Sequence, residues 1–190
     1  MRPAGFVLVG GKSMRMGQDK ALLLWRSQRL VERVAATVAT VAGTVTLVGR
    51  PERYAHLGLP CLADHRQELG PLAGIEAALE AGQGEWNLIA GCDMPDISVD
   101  ILRELVNQAD RTGASCIAAQ DSTGQVHPLC AVYHACCLPV IQRSLDEGRL
   151  KLMNVLRELQ AEYFPVPTKL ININTPEDWL HWRQRSVNEI

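Results

Sequence analysis

The sequence predicts one three-layer α/β domain spanning residues 1–190, built on a mostly parallel sheet. Two observations carry this expectation. The first fifty residues read strand, loop, helix, strand, an order that implies parallel neighbours joined by a crossover. After that, short apolar runs ending at glycine or aspartate keep alternating with amphipathic helical stretches.

Phe6 to Val9 is a short, partly β-branched apolar run that stops at Gly10-Gly11, the pattern of a buried first strand. Ala21 to Trp25 is a second apolar run, broken by Arg26-Ser27-Gln28. A helical stripe begins near Arg29, with Leu30, Val31, Val34, Val38 and Val41 on one face and Gly43 placed as its C-cap. Val45 to Val48 is the next strand, closed by Gly49-Arg50-Pro51. Pro60 to Ala63 forms a short strand ending at Asp64, and Gly70-Pro71 opens a helix over Leu72 to Ala81. Trp86 to Gly91 is a strand running into Cys92-Asp93. Ser98 caps a helix to about Arg111, and Ser115 to Ala119 is a further strand.

The alternation then loosens. A polar loop, Asp121 to Gln125, precedes an extended stretch from His127 to Tyr133. Cys137 to Leu145 and Leu150 to Leu159 read as helices, and Tyr163 to Val166 as a strand. Thr175-Pro176-Glu177-Asp178 opens a last helix with a threonine cap, proline at its first position and acids in its first turn.

Composition narrows the partners. Hydrophobic residues make up 47% and charged residues 21%, the balance of an ordinary globular chain with a real core. The formal net charge is −2, so no global basic field would recruit nucleic acid, and any anion has to be held by a local site. No apolar run approaches the roughly 18–20 residues of a membrane span. The start, Met1 to Gly5, passes into the first strand without a signal-peptide core, so a cytoplasmic location is expected. The 6 cysteines form no C-x-x-C pair and read as reduced, mostly buried thiols. His127, Cys130, His134, Cys136 and Cys137 match no common zinc spacing, and core packing is the preferred reading for them.

The chemistry concentrates in the loop after the first strand. Gly10, Gly11 and Gly17 alternate there with Lys12, Arg15 and Lys20. Paired glycines remove the Cβ atoms that would keep a ligand off the backbone, so their N–H groups can face an anion. The cations neutralise charge that dipoles alone cannot, and such a loop suits a polyphosphate. It is not a P-loop: G-x-x-x-x-G-K-[ST] would need glycine at Phe6. Ligands of open parallel sheets sit beyond the carboxyl ends of the strands. Asp64 and Asp93 stand at two such ends, where carboxylates beside phosphates commonly hold Mg²⁺.

With these residues in view, the chain resembles the molybdenum cofactor guanylyltransferase (MobA-like) family. The run Leu8-Val9-Gly10-Gly11-Lys12-Ser13-Met14-Arg15-Met16-Gly17-Gln18-Asp19-Lys20 is close to the family's L-A-G-G-x-S-x-R-M-G-x-D-K. The likeness continues through Asp64, Gly70 to Ile75, Cys92-Asp93-Met94-Pro95, His127-Pro128 and Asn172-Ile173-Asn174-Thr175-Pro176-Glu177-Asp178, in the family's order. Val9 stands where the family usually has alanine, and Leu47 near where some members use an asparagine on the nucleotide.

The resemblance implies a Rossmann-like nucleotidyltransferase fold. It also implies transfer of GMP from GTP to the terminal phosphate of molybdenum-molybdopterin, with Mg²⁺ as cofactor and pyrophosphate as second product. Leu8, Val9, Gly10 and Gly11 would line the nucleotide, Lys20 the phosphates, and Asp64 the GTP. Asp93 would bind GTP and the metal, and Asn172 and Asn174 would lie near the active site. Arg15, Lys20 and Asp93 are the expected catalytic residues. About 1–120 would be the nucleotide-binding part and about 121–190 the molybdopterin side. Molybdenum-cofactor insertion proteins or apo-molybdoenzymes would be partners.

The rivals are a CTP-dependent molybdopterin cytidylyltransferase, a sugar-nucleotide pyrophosphorylase and a non-enzymatic nucleotide sensor on the same fold. The roughly 70 residues after Asp121 leave little room for the larger sugar-binding region of many pyrophosphorylases.

Overall fold

The computed structural model describes residues 2–10, 18–66 and 69–188. Its centre is a seven-stranded sheet. In chain order the strands of that sheet are β1 (Ala4–Leu8), β4 (Thr46–Val48), β5 (Cys61–Leu62), β6 (Trp86–Gly91), β7 (Cys116–Gln120), β8 (Val126–His134) and β9 (Glu162–Pro165). β2 (Leu24–Trp25) and β3 (Gln28–Arg29) form a separate small hairpin. The helices are α1 (Leu30–Ala42), α2 (Pro51–Tyr54), α3 (Pro71–Glu80), α4 (Val99–Thr112), α5 (Leu138–Asp146), α6 (Leu152–Glu158) and α7 (Pro176–Asn188).

The strand order is β5-β4-β1-β6-β8-β7-β9. Neighbours run parallel except where β8 pairs antiparallel with β6 and β7. β8 therefore delivers its first residues to the edge where the parallel strands end.

Side-chain alternation along β1 divides the core. Val7 packs with α1 and α4 on one face, while Phe6 and Leu8 pack with α3, α5 and α6 on the other. A third cluster gathers Leu23, Leu30, Ile173, Trp179 and Trp182, with Trp25 packed against it, and it seats α7 on the hairpin. The stripe of α1 lies as its spacing predicts, and Gly43 closes it in the left-handed conformation. Thr175 and Asp178 cap α7 reciprocally. The Thr175 hydroxyl accepts from the Asp178 N–H at 3.1 Å, and the Asp178 carboxylate accepts from the Thr175 N–H at 2.8 Å.

Four features differ from the sequence expectation. The run from Ala21 to Trp25 is a 3-10 turn over Lys20–Leu22 followed by β2. The hairpin that follows turns on Arg26 and Ser27, at φ 48° and 67°, without the Asn-Gly pair that usually announces such a turn. α2 is a single turn that no periodicity can reveal, and the last strand lies one residue earlier than the apolar run suggests.

Gly5 is the tightest point of the β1–α1 contact. A Cβ built there would lie 2.4 Å from the Thr44 carbonyl oxygen and 2.7 Å from Val38 Cγ1. Gly5→Ala is therefore expected to lower unfolding free energy by about 1–3 kcal/mol, the usual cost of overpacking. Urea denaturation checks this.

Candidate active site

β1 lies between β4 and β6. The chain leaves β1 toward β4 and leaves β6 toward β7, so a crevice opens outside the carboxyl ends of β1 and β6. The Cys92 N–H donates to the Leu8 carbonyl at 3.1 Å and the Val9 N–H to the Val48 carbonyl at 2.9 Å, fixing both lips. The side chains of Leu8 and Val9 are buried in the core, so the main chain is what they offer a ligand. Gly10 follows at φ +106°, a conformation that strains residues with a side chain. Gly11, Lys12 and Arg15 lie outside the described residues.

Lys20 and Asp93 meet across this crevice. Lys20 Nζ is 2.6 Å from Asp93 Oδ2 and donates to Asn174 Oδ1 at 3.0 Å. Both partners of the ion pair are less than one-fifth exposed, so salt screens it less than a surface pair. Asp93 is carried by the turn after β6, and a Cβ on Gly91 would lie 2.7 Å from Asp93 Oδ1. The glycine is what lets the carboxylate fold back over the strand end. The Asp93 carbonyl accepts from the Ile173 N–H at 2.8 Å, and this bond draws the segment between β9 and α7 across the edge. Ile173 is buried, while Asn172 and Asn174 stand on either side of it.

Behind Lys20 is an element that sequence reasoning missed. Asp19 caps the 3-10 turn, accepting from the Ala21 N–H at 3.0 Å, and its other oxygen accepts from the hydroxyl of buried Tyr54 at 2.7 Å. Burial, then Asp19, holds the Tyr54 phenol above its ordinary range, so it stays a neutral donor. Asp19 stands inside the recognised motif, but nothing in the sequence points to Tyr54 on its single-turn helix.

Asp64 follows β5 at the same edge of the sheet. β5 is three strand spacings from β6, about 14 Å at ~4.8 Å each. The segment that carries it is tied down two residues later, where Arg66 Nε sits 3.0 Å from the buried Glu76 carboxylate. Leu47 is fully buried on β4 and cannot touch a ligand.

On the other side of Asp93 lies a pocket of about 170 Å³, lined by Asp93, Met94, Gln125, Val126, His127, Pro128, Leu129, Leu152 and Asn172. His127 does not face it freely, because its Nε2 is 3.1 Å from Asp121 Oδ2 in a buried pair. Burial alone would raise the Asp121 carboxyl. Donors from Thr123, His127 and the Leu170 main chain outweigh it and hold the group well below the usual carboxylate range.

Four of the six thiols are not placed as nucleophiles. Cys92, Cys116, Cys130 and Cys137 are buried, and burial pushes Cys130 up to about 12. No group of three or more His, Cys, Asp or Glu is arranged for a metal among the described residues. No helix among them is long and apolar enough to cross a membrane.

Comparison with known proteins bears on the same edge. The family model of the MobA-like NTP transferase domain matches residues 5–163. The chain is 37% identical over 178 residues to a probable molybdenum cofactor guanylyltransferase of Nostoc sp., covering 90% of this chain and 86% of that one. It is 30% identical over 186 residues to a probable molybdenum cofactor guanylyltransferase of Flavobacterium johnsoniae, covering 97% and 93%. Among solved structures, molybdopterin-guanine dinucleotide biosynthesis protein A from Archaeoglobus fulgidus superposes with a TM-score of 0.81 at 24% identity, covering 98% of this chain and 100% of that one. A CMP:2-keto-3-deoxy-manno-octonic acid synthetase complexed with CTP superposes with a TM-score of 0.79 at 12% identity, a likeness of fold.

The Asp121 network sets an acid limit on stability. Its folded-state pKa lies below the unfolded value of about 3.9, so its contribution is complete above that pH and is lost as pH falls toward the folded value. Asp121→Asn is expected to lose less stability than the parent between about pH 5 and pH 3. Urea unfolding free energies across that range measure the difference.

Proposed function

Because this chain belongs to the MobA-like NTP transferase domain family, we propose that it transfers GMP from GTP to the terminal phosphate of molybdenum-molybdopterin. The products are the guanine dinucleotide cofactor and pyrophosphate. The observation that carries the reading is the meeting of Lys20, Asp93 and Asn174 at the crevice outside the carboxyl ends of β1 and β6. Guanylyl transfer to the molybdenum cofactor is what the names of the curated relatives state.

The acceptor phosphate is already an anion, so no general base is required. Catalysis reduces to aligning two anions and neutralising charge on the α-phosphate and the departing pyrophosphate. The Lys20 ammonium has three donors, and Asp93 and Asn174 engage two of them among the described residues. The third is available to a phosphate oxygen. In this reading the main chain at Leu8, Val9, Gly10 and Gly11 cradles the triphosphate, Arg15 adds positive charge and Asp64 contacts the nucleoside side.

The donors at the crevice suit Mg²⁺. Asp93, Asn172 and Asn174 offer hard oxygens, and Mg²⁺ is commonly shared between one or two carboxylates and substrate phosphates. When bound, the cation would neutralise phosphate charge, with Asp93 as its protein ligand.

Pyrophosphate release with GTP, CTP, ATP and UTP, with and without molybdopterin acceptor and Mg²⁺, tests the proposal. GTP-selective, acceptor-dependent release is expected, and CTP-selective release would replace guanine by cytosine. Asp93→Ala and Lys20→Ala are each expected to lower kcat by about 10²–10³-fold, the scale of losing one preorganised charge contact. Near-parent turnover of Asp93→Ala at saturating Mg²⁺ would overturn its assignment.

A further inference from the structure

The buried Asp121–His127 pair lies outside the catalytic set just described, yet His127 lines the pocket beside Asp93 and Asp121 bonds Leu170, two residues before the pocket-lining Asn172. Asp121 follows β7, and one of its oxygens accepts from the Thr123 N–H at 2.9 Å, the Thr123 hydroxyl at 2.6 Å and the Gln125 N–H at 3.1 Å. These bonds close the β7–β8 connection. The other oxygen faces His127 Nε2 at 3.1 Å and accepts from the Leu170 N–H at 3.3 Å.

A carboxylate held ionised only accepts, so the His127 Nε2 carries the proton. His127 belongs to β8 and lines the pocket on one side. Leu170 lies two residues before Asn172, which lines the pocket on the other, and four before Asn174, which holds Lys20. The segment from β9 to α7 has no regular structure over residues 166–175. It is fixed by the Val166 N–H to the Gln120 carbonyl at 2.8 Å, by Leu170 to Asp121, and by Ile173 to the Asp93 carbonyl. The Ser122 N–H also donates to the Thr168 carbonyl at 3.3 Å, and Val166 and Leu170 pack into the core, so among the described residues the Asp121 carboxylate is the one side chain that hydrogen-bonds this segment ahead of Asn172.

We propose that Asp121 and His127 are positioning residues for the acceptor: a single buried carboxylate sets the spacing between the β8 wall and the Asn172–Asn174 segment, and so places the acceptor phosphate against Asp93. The inference rests on the guanylyltransferase reading for the identity of the acceptor, while the anchoring itself does not. On the nucleotide side Lys20 has, besides Asn174, supports outside this segment: the ion pair with Asp93 and the turn that Asp19 and Tyr54 hold. Loss of the pair should therefore fall on the acceptor and spare the triphosphate.

Three variants and two readouts test this. Asp121→Asn removes the charge, His127→Phe removes the donor, and His127→Gln keeps an amide N–H near the place of Nε2. Steady-state kinetics with GTP, Mg²⁺ and molybdopterin should show the acceptor KM raised by about tenfold or more in Asp121→Asn and His127→Phe, a scale reached by sub-ångström to ångström misplacement. The GTP KM should stay within about twofold, and His127→Gln should recover most of the acceptor KM. Equal changes in both KM values, or an unchanged acceptor KM, would overturn the proposal. If Asp121→Asn fails to fold, the two His127 variants decide it.

Hydrogen–deuterium exchange gives the second readout, without turnover. The amides of 169–174 should exchange faster in Asp121→Asn while those of β1 and β6 keep the parent rates. Unchanged exchange there would overturn the anchoring role even if the enzyme is a guanylyltransferase. A parent protein that never consumes GTP with the acceptor, but whose 169–174 segment loosens in Asp121→Asn, would refute the functional reading and leave the anchoring intact.

Discussion

The ligand edge of this protein depends on the fixed separation of two strand ends. β1 is buried between β4 and β6, so the main-chain ladder sets where the glycine loop departs and where Asp93 emerges. Adjacent strands lie about 4.8 Å apart, so Gly10 leaves β1 beside the point where Asp93 leaves β6. The Lys20–Asp93 pair uses that separation. A partly buried pair of this kind contributes little net stability once desolvation is counted, so its value is in orientation.

The turn that carries Asp93 is gripped from both flanks. Arg33 of α1 donates from Nε to the Pro95 carbonyl at 3.1 Å, and Trp182 of α7 donates from Nε1 to Asp96 at 2.7 Å, with Arg185 on the same carboxylate. Trp179 and Trp182 stack at 5.4 Å between ring centroids, and Arg183 lies over Trp25 and Trp179. The aromatic cluster that seats α7 thereby steadies the same turn that carries Asp93. Asp121 performs the matching task from the β7–β8 side.

Most of the fold was legible because its signals are local. The stripe of α1, the Gly43 stop, the Ser98 and Thr175 caps and the apolar strands each follow from side-chain periodicity or from a hydrogen bond within four residues. The hairpin at Arg26-Ser27 was not legible, since two non-glycine residues take positive φ there, and its flanking Trp25 and Leu30 pack into the third cluster, which is assembled with distant α7. At the site, Lys20, Asp93 and Asn174 stood out from their motifs, and the structure brings the three together. Tyr54, Asp121 and His127 did not stand out as a support. Their roles come from partners 35, 49 and 6 residues away in the chain.

What the sequence determined by itself is the alternation of strands and helices, the glycines and cations that follow the first strand, and the carboxylates at strand ends. Each of these is encoded by neighbours in the chain. Tertiary structure alone decided that β8 enters antiparallel between β6 and β7, that the Asn172–Asn174 segment crosses back onto Asp93, and that Leu47 turns into the core. Those outcomes depend on which buried surfaces meet across the sheet and on which donors find a buried carboxylate. No local pattern carries that information, because it comes into being only when distant segments pack.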